Sequence, residues 1–226
     1  KAERYYRQGL DIMQACYGPT HPETAAALIM IARVMVPQGR LEEAAELLHR
    51  GLAIQERVYG PVHPRVASAL NELGMVARRR GRLREAEADF KRMAEIYRQV
   101  YADKHYLIGV ALSNLAGIYD MQKRYADAER LFREVLRRYG DVLAPDHQLV
   151  GIAHVRLGRT LQHESRYADA AAESSAGYDI LARQAAPPAT WLNNARRDLV
   201  IDFERLRQPA RATKFRLELA TDTLTR

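Results

Sequence analysis

Residues 59–64 read YGPVHP and residues 81–86 read GRLREA, and both strings recur along the chain with a constant step. The first string returns in changed form every 42 residues, as its histidines show: His21, His63, His105 and His147. The second string ends in an alanine that keeps the same step: Ala44, Ala86, Ala128, Ala170 and Ala212. Two markers that stay in phase identify an internal repeat, and this repeat decides the fold.

Each repeat contains two stretches whose apolar residues suit one face of a helix. In the second copy, the first stretch runs through Val66, Leu70 and Leu73, and the second runs through Ala86 and Phe90. Spacings of three and four place such residues on a single helical face. Because neither helix can bury its apolar face alone, neighbouring hairpins must stack. The sequence therefore predicts an all-α fold, an α-solenoid of antiparallel helical hairpins.

The residues between the helices suit turns and caps. Gly39 and Gly81 fit the short turn inside a hairpin, and Pro64 fits the first turn of the helix that follows. The marker histidines are interpreted as structural signals at the junction of loop and helix. In the later copies, Asp103 and Asp146 are expected to cap the helices through their carboxylates.

The order of small and large positions resembles that of the tetratricopeptide repeat. The pair Leu73-Gly74, then Gly81, Ala86 and Phe90, fall where that family keeps leucine–glycine, glycine, alanine and phenylalanine. The 42-residue step, with YG-x-x-HP between units, resembles the kinesin-light-chain type of the repeat. The resemblance implies a right-handed superhelix that binds proteins or peptides in its concave groove. The end of the chain also resembles, loosely, the repeat tails of bacterial serine/threonine kinases.

The predicted organisation is a single array over residues 1–226. Residues 1–17 align with the second helix of a repeat whose first helix is missing. The complete repeats and a divergent C-terminal capping repeat are placed at 20–59, 62–101, 104–143, 146–185 and 188–226. Because the chain begins in mid-repeat, we expect a fragment of a larger bacterial protein. Self-association through the repeat ends is a further expectation, since an unfinished end exposes an apolar stripe.

Composition and motifs point away from chemistry and from membranes. The 226 residues carry a net charge of +7, and no apolar run is long enough for a membrane span. Gly-rich phosphate loops, GxSxG and HExxH are absent, and histidines one repeat apart are too distant to share a metal ion. We therefore expect a cytoplasmic protein without enzymatic activity, catalytic residues, cofactor or metal. Cys16, the single cysteine, is expected to be buried.

The candidate partner site is the part of each first helix that faces the groove rather than the core. By helical phase it comprises Arg33, Asn71, Met75, Arg78, Asn114, Arg156 and Arg159. An asparagine amide both donates and accepts, so it can hold the backbone of an extended peptide. Arginine binds carboxylates through paired hydrogen bonds. An acidic segment or a free C-terminus is therefore the expected ligand.

Two functions remain open at this point. The first is a protein–protein interaction scaffold that binds a peptide or partner protein in the groove. The second is a regulatory or sensor region of a larger signalling protein, such as a bacterial serine/threonine kinase. Direct nucleic-acid binding is disfavoured, because aromatic residues such as Phe90 and Tyr97 fall on the packing face instead of forming a stacking platform.

Overall fold

The computed structural model describes residues 2–224, and within this range every regular element is helical. The α-helices are α1 (Ala2–Tyr17), α2 (Pro22–Met35), α3 (Leu41–Tyr59), α4 (Pro64–Arg79), α5 (Leu83–Val100), α6 (Tyr106–Met121), α7 (Tyr125–Val142), α8 (Gln148–His163), α9 (Tyr167–Ala182), α10 (Ala189–Arg205) and α11 (Pro209–Leu224). A short 3-10 helix, Val36–Gln38, follows α2. The all-α prediction is confirmed. Lys1, Thr225 and Arg226, which belong to the predicted array, lie outside the described residues.

The chain divides into two compact units, Lys1–Ile118 (unit 1) and Tyr119–Arg226 (unit 2), with the boundary inside α6. In unit 1, each helix from α1 to α4 packs on the next one along the chain. In unit 2, α8 packs on α7 and α9, and α10 packs on α9 and α11. Neighbouring helices joined by short turns are the antiparallel hairpins that the pattern predicts. The even-numbered helices α2 to α10 are the first helices of the predicted repeats; the repeat boundaries themselves stay predictions.

The turns inside the hairpins share a left-handed residue. Gly39 and Gly81 have φ of 78° and 73°, which glycine adopts without steric cost. In the later copies Lys123, Ser165 and Arg207 hold the same place with φ of 61°, 61° and 58°. Since side chains are strained in this region, the turn is imposed there by the packing of the two helices.

The marker histidines cap the first helices. Nδ1 of His63 accepts a hydrogen bond from the backbone N–H of Arg65 at 3.1 Å. Equivalent bonds, each to the N–H two residues on, measure 3.1–3.2 Å at His21, His105 and His147. The capping prediction for Asp103 and Asp146 is wrong, because the histidine already holds the position before the helix in those copies.

A tyrosine four residues earlier supports three of these histidines. Its ring stacks on the imidazole at centroid distances of 4.6, 4.4 and 4.1 Å in the pairs Tyr17–His21, Tyr59–His63 and Tyr101–His105. The tyrosine lies at the end of the preceding helix and the histidine at the start of the next, so the stack joins the two helices. The YG-x-x-HP string is therefore a structural joint.

Helix α1 is the least covered helix of unit 1. Its side chains Tyr5, Ile12 and Tyr17 are 69%, 57% and 56% exposed. Cys16 is exposed as well, so the expectation of a buried thiol is wrong. The reason is that α1 packs on α2 with one face, and Cys16 lies on another. No helix in the described range has the length and apolarity that a membrane crossing requires.

Candidate functional site

The predicted partner-site residues of unit 1 all lie on first helices. Arg33 is on α2, Asn71, Met75 and Arg78 are on α4, and Asn114 is on α6. All of them are at least partly exposed. We call the surface that they share the first-helix face of unit 1.

Polar pairs link each first helix to the next first helix across this face. The Arg33 guanidinium donates to Oε1 of Glu72 at 2.7 Å, which joins α2 to α4. Nδ2 of Asn114 donates to Oδ1 of Asn71 at 3.0 Å, which joins α4 to α6. The structure thus brings the two asparagines together although they lie at different positions of the repeat. The pair uses one donor and one acceptor, and each amide has further capacity for hydrogen bonds.

Arg78 differs from Arg33, the other arginine of this face. It is half-buried, and no carboxylate pairs with it among residues 2–224. Burial, and secondarily the positive charge of neighbouring Arg79, lower the pKa of Arg78. A guanidinium that is partly desolvated beside a like charge gains most from an incoming anion. Met75, one turn earlier, adds a partly exposed apolar surface.

In unit 2 the predicted arginines are used inside the fold. Arg156 of α8 lies over the rings of Phe132 and Trp191, at 5.3 and 5.8 Å from their centroids. Arg159 binds Asp198 of α10 through both carboxylate oxygens, at 2.8 and 3.1 Å. Their positive charge is therefore partly committed before any partner arrives.

Two buried carboxylates of α10, which were not predicted, lie against α8. Asp198 is 5% exposed and Asp202 is fully buried. Burial raises the pKa of Asp198, with Arg159 opposing the change. Nε2 of Gln162 donates to Oδ1 of Asp202 at 2.8 Å, whereas the buried Oδ2 has no hydrogen-bond partner. Burial, together with the charge of Asp198, raises the pKa of Asp202 to about 7.

The repeat register contained a signal for one of these carboxylates. Asp198 follows Arg156 by 42 residues and Asn114 by 84, so it occupies the same position of the repeat. The signal was hidden because aspartates one turn apart on an amphipathic helix are typical of a solvated face. Only the packing of α10 on α8 shows that they are buried.

The two histidines of α8 are also held by carboxylates. Nδ1 of His154 lies 2.7 Å from Oε2 of Glu173, and Nδ1 of His163 lies 3.0 Å from Oδ1 of Asp120. His154 is partly buried and His163 is exposed, and the imidazole of each contacts a carboxylate. Within the described range, no group of three or more histidine, cysteine, aspartate and glutamate side chains is arranged to hold a metal ion.

Repeated helical hairpins, histidine-capped joints and a polar first-helix face define an α-helical repeat protein of the tetratricopeptide class. The model of the tetratricopeptide repeat matches residues 1–57, 31–99, 65–141 and 107–183. The chain belongs to the tetratricopeptide-repeat family.

Solved structures with the same fold include kinesin-light-chain-like proteins. A putative kinesin light chain from Podosopora anserina with nearly identical TPR-like repeats has a TM-score of 0.71 and 19% identity, over 89% of this chain and 95% of that one. BtubC (BKLC) from P. vanneervenii has a TM-score of 0.81 and 14% identity, over 99% and 89%. The apo form of RapI has a TM-score of 0.77 and 13% identity, over 99% and 58%.

These likenesses show the fold, and they include kinesin-light-chain-like proteins, the type that the 42-residue step resembles. No protein of curated function matches the chain in sequence.

Proposed function

We propose that this chain is a protein–protein interaction scaffold that carries out no catalysis and binds a partner through the first-helix face of unit 1. Family membership supports binding of proteins or peptides, which is the general role of tetratricopeptide repeats. It does not favour the regulatory alternative over the scaffold. The partner is a peptide segment with an exposed carboxylate, either an acidic side chain or a free C-terminus.

The observation that carries this proposal is Arg78. It is a half-buried cation with no carboxylate partner among the described residues. A carboxylate would supply the missing charge through two parallel hydrogen bonds. The Asn71–Asn114 pair lies on the same face and offers amide groups to a peptide backbone. Met75 offers an apolar contact to the segment between them.

Arg156 and Arg159 play a smaller part in this proposal. Both remain predicted site residues, but each already contacts a partner inside unit 2. A carboxylate ligand of Arg159 would compete with Asp198, which is nearly fully buried and cannot readily be left without its counter-charge. Unit 1 is therefore the more favourable place for an acidic ligand.

The test is a binding titration with fluorescent acidic peptides, each made with a free and an amidated C-terminus. Arg78→Gln should weaken binding about tenfold, since a charge-assisted paired contact is lost. Asn71→Ala/Asn114→Ala should weaken it less. Arg84→Gln changes an exposed arginine of α5 and serves as the charge-matched control. Equal affinity for Arg78→Gln and Arg84→Gln would overturn the proposal.

A further inference from the structure

A second surface of unit 1 lies between the second helices α3 and α5. They flank an open cleft of about 460 Å³. Its floor is apolar and buried, formed by Ala45 of α3 and by Leu73 and Ala77 of α4. Its walls are polar and mostly charged: Glu42, Glu46, His49, Arg80, Arg82, Glu85 and Asp89. The cleft is on different helix surfaces from Arg78 and is independent of the proposed function.

The positive charges of the cleft are already neutralised. Arg80 is ion-paired with Glu42, and Arg82 is ion-paired with Glu85 at 3.3 Å. Glu46 and Asp89 have no hydrogen bond or ion pair within residues 2–224. The charge left to the cleft is therefore negative, although the protein as a whole is basic.

Asp89 is the more unusual of these two carboxylates. It is half-buried. Burial, and secondarily the charge of Glu85, raise the pKa of Asp89 to about 6. Arg92 opposes this change, but its guanidinium is bound to Glu56. Asp89 is thus a carboxylate that is partly withdrawn from water without an ion-pair partner of its own, which is costly unless a cation binds to it.

In unit 2, the carboxylate at the equivalent position has a partner within the protein. Asp89 corresponds to Glu173, 84 residues later, and Glu173 lies 2.7 Å from His154. The counterpart of His154 in unit 1 is Leu70, which cannot form this contact.

The wall of the cleft that α3 forms also has fewer positive charges than the equivalent surface of α7. Arg133 of α7 binds Glu129 at 2.8 Å, whereas its counterpart on α3 is His49. Arg130 of α7 has the acidic Glu46 as its counterpart. Unit 1 therefore lacks cationic or hydrogen-bonding groups that the same positions carry in unit 2.

We propose that the cleft between α3 and α5 binds a lysine or arginine side chain from a basic segment of a partner protein. Its charged group pairs with Asp89 and Glu46, and its alkyl stem lies on Ala45, Leu73 and Ala77. Basic side chains combine an apolar stem with a charged end, which is the combination that the cleft presents. Its volume is also sufficient for a long side chain.

The test is calorimetric titration of the whole chain with a short peptide that alternates alanine and arginine and has both ends blocked. Asp89→Asn should weaken binding about tenfold, the loss of one charge-assisted contact. The double variant Asp89→Asn/Glu46→Gln should weaken it further. Glu43→Gln, an exposed carboxylate of α3 outside the cleft, makes the same change in net charge and should have little effect.

A pH series separates a specific site from general attraction to acidic residues. Binding requires ionised Asp89, so the affinity of the native chain should fall as the pH is lowered through about 6. This fall should be clearly smaller in Asp89→Asn, which lacks the titrating carboxylate. Equal binding by Asp89→Asn and Glu43→Gln, or no binding of the arginine peptide, would overturn the proposal. The acidic peptides that test Arg78 should bind Asp89→Asn unchanged, so either proposal can fail alone.

Discussion

The hairpins α4–α5 and α8–α9 occupy the same positions of the repeat, 84 residues apart, yet different residues close them. A methyl group added at Gly74 of α4 would meet the Phe90 ring at 2.7 Å. One added at Gly158 of α8 would clash with Oγ of Ser174 and would lie 3.0 Å from the backbone oxygen of Ala170. Glycine makes room for a ring in the first hairpin and for the neighbouring helix itself in the second.

The comparison teaches that the repeat conserves close packing and not a particular residue. Ser174 stands where the pattern leads one to expect a bulky side chain. Because the helices approach more closely there, the smaller residue is still fully buried. This arrangement costs stability, because the buried Ser174 hydroxyl has no hydrogen-bond partner in the described part of the chain.

The largest effect is expected at the ring of the first hairpin. Phe90→Ala should lower the free energy of unfolding by about 4 kcal/mol, because Phe90 is fully buried and its removal leaves a cavity beside Gly74. Urea titration followed by circular dichroism measures this loss. Phe90→Leu, which keeps most of the volume, should lose less than half as much. Equal losses would show that the ring does not fill the space left by Gly74.

The next effect is expected at Asp202, where α10 packs on the second hairpin. The pKa of Asp202 is raised to about 7, so the folded chain holds a proton that the unfolded chain releases near its usual pKa of 3.8. Its contribution to stability is complete below pH 3.8, falls as the pH rises above that value, and is gone above about pH 7. Asp202→Asn removes this dependence and should raise stability at alkaline pH by about 3 kcal/mol.

Denaturant titrations of the Asp202→Asn variant across this pH range measure the difference. Asp198 and Gln162 are the groups that act on Asp202, and both are unchanged in the variant. Asp179→Asn, an exposed aspartate of α9, is the control and should follow the native chain. A native pH profile in Asp202→Asn would contradict the assignment.

A smaller loss is expected from filling the close approach of α8 and α9. Gly158→Ala should lower the free energy of unfolding by about 2 kcal/mol, because the backbone oxygen of Ala170 limits how far the helix can yield. Gly140→Ala is the matched control in α7, where nothing lies within 4 Å of the added carbon. That control should be stabilised by about 0.5 kcal/mol through helix propensity. In thermal melts, Gly158→Ala should unfold at a lower temperature than the native chain and Gly140→Ala at a higher one.

The variant Ser174→Ala should raise stability at the same contact between α8 and α9. It removes a buried hydroxyl without a partner and leaves the volume nearly unchanged. Stability should rise by about 1 kcal/mol, since the hydroxyl no longer has to be desolvated. The measurement is the same urea titration. A loss of stability would mean that the hydroxyl has a partner, such as a buried water.

Losses of about 1 to 1.5 kcal/mol are expected at the caps of the same hairpins. His63→Ala and His147→Ala each remove a hydrogen bond to the first turn of α4 or α8, worth about 1 kcal/mol. His63→Ala also removes the stack on Tyr59, worth about 0.5 kcal/mol more. His147 has no such stack to lose, because Leu143 takes the place of the tyrosine four residues earlier. His63→Ala should therefore melt lower than His147→Ala. Asparagine at either position should restore most of the cap.

Much of the fold could be predicted because its causes are local and repeated. Left-handed Gly39 and Gly81, proline at the start of α4 and apolar residues at spacings of three and four all lie within one repeat. The candidate site was less accessible to prediction. Asn71 and Asn114 were chosen by helical phase, but their contact depends on how far α4 and α6 are offset along their axes.

The sequence by itself determined the class of fold, the repeat and its hairpins, because periodic burial and turn chemistry are written in short segments. Only the tertiary structure decided which charges remain for a partner. Arg159 and Arg78 look alike in the sequence, yet Asp198 neutralises the first and no described carboxylate meets the second. Asp89 and Glu173 differ in the same way, since only Glu173 has a histidine opposite it. Such pairs join residues about one repeat or half a repeat apart, and the packing of neighbouring helices sets which of them meet.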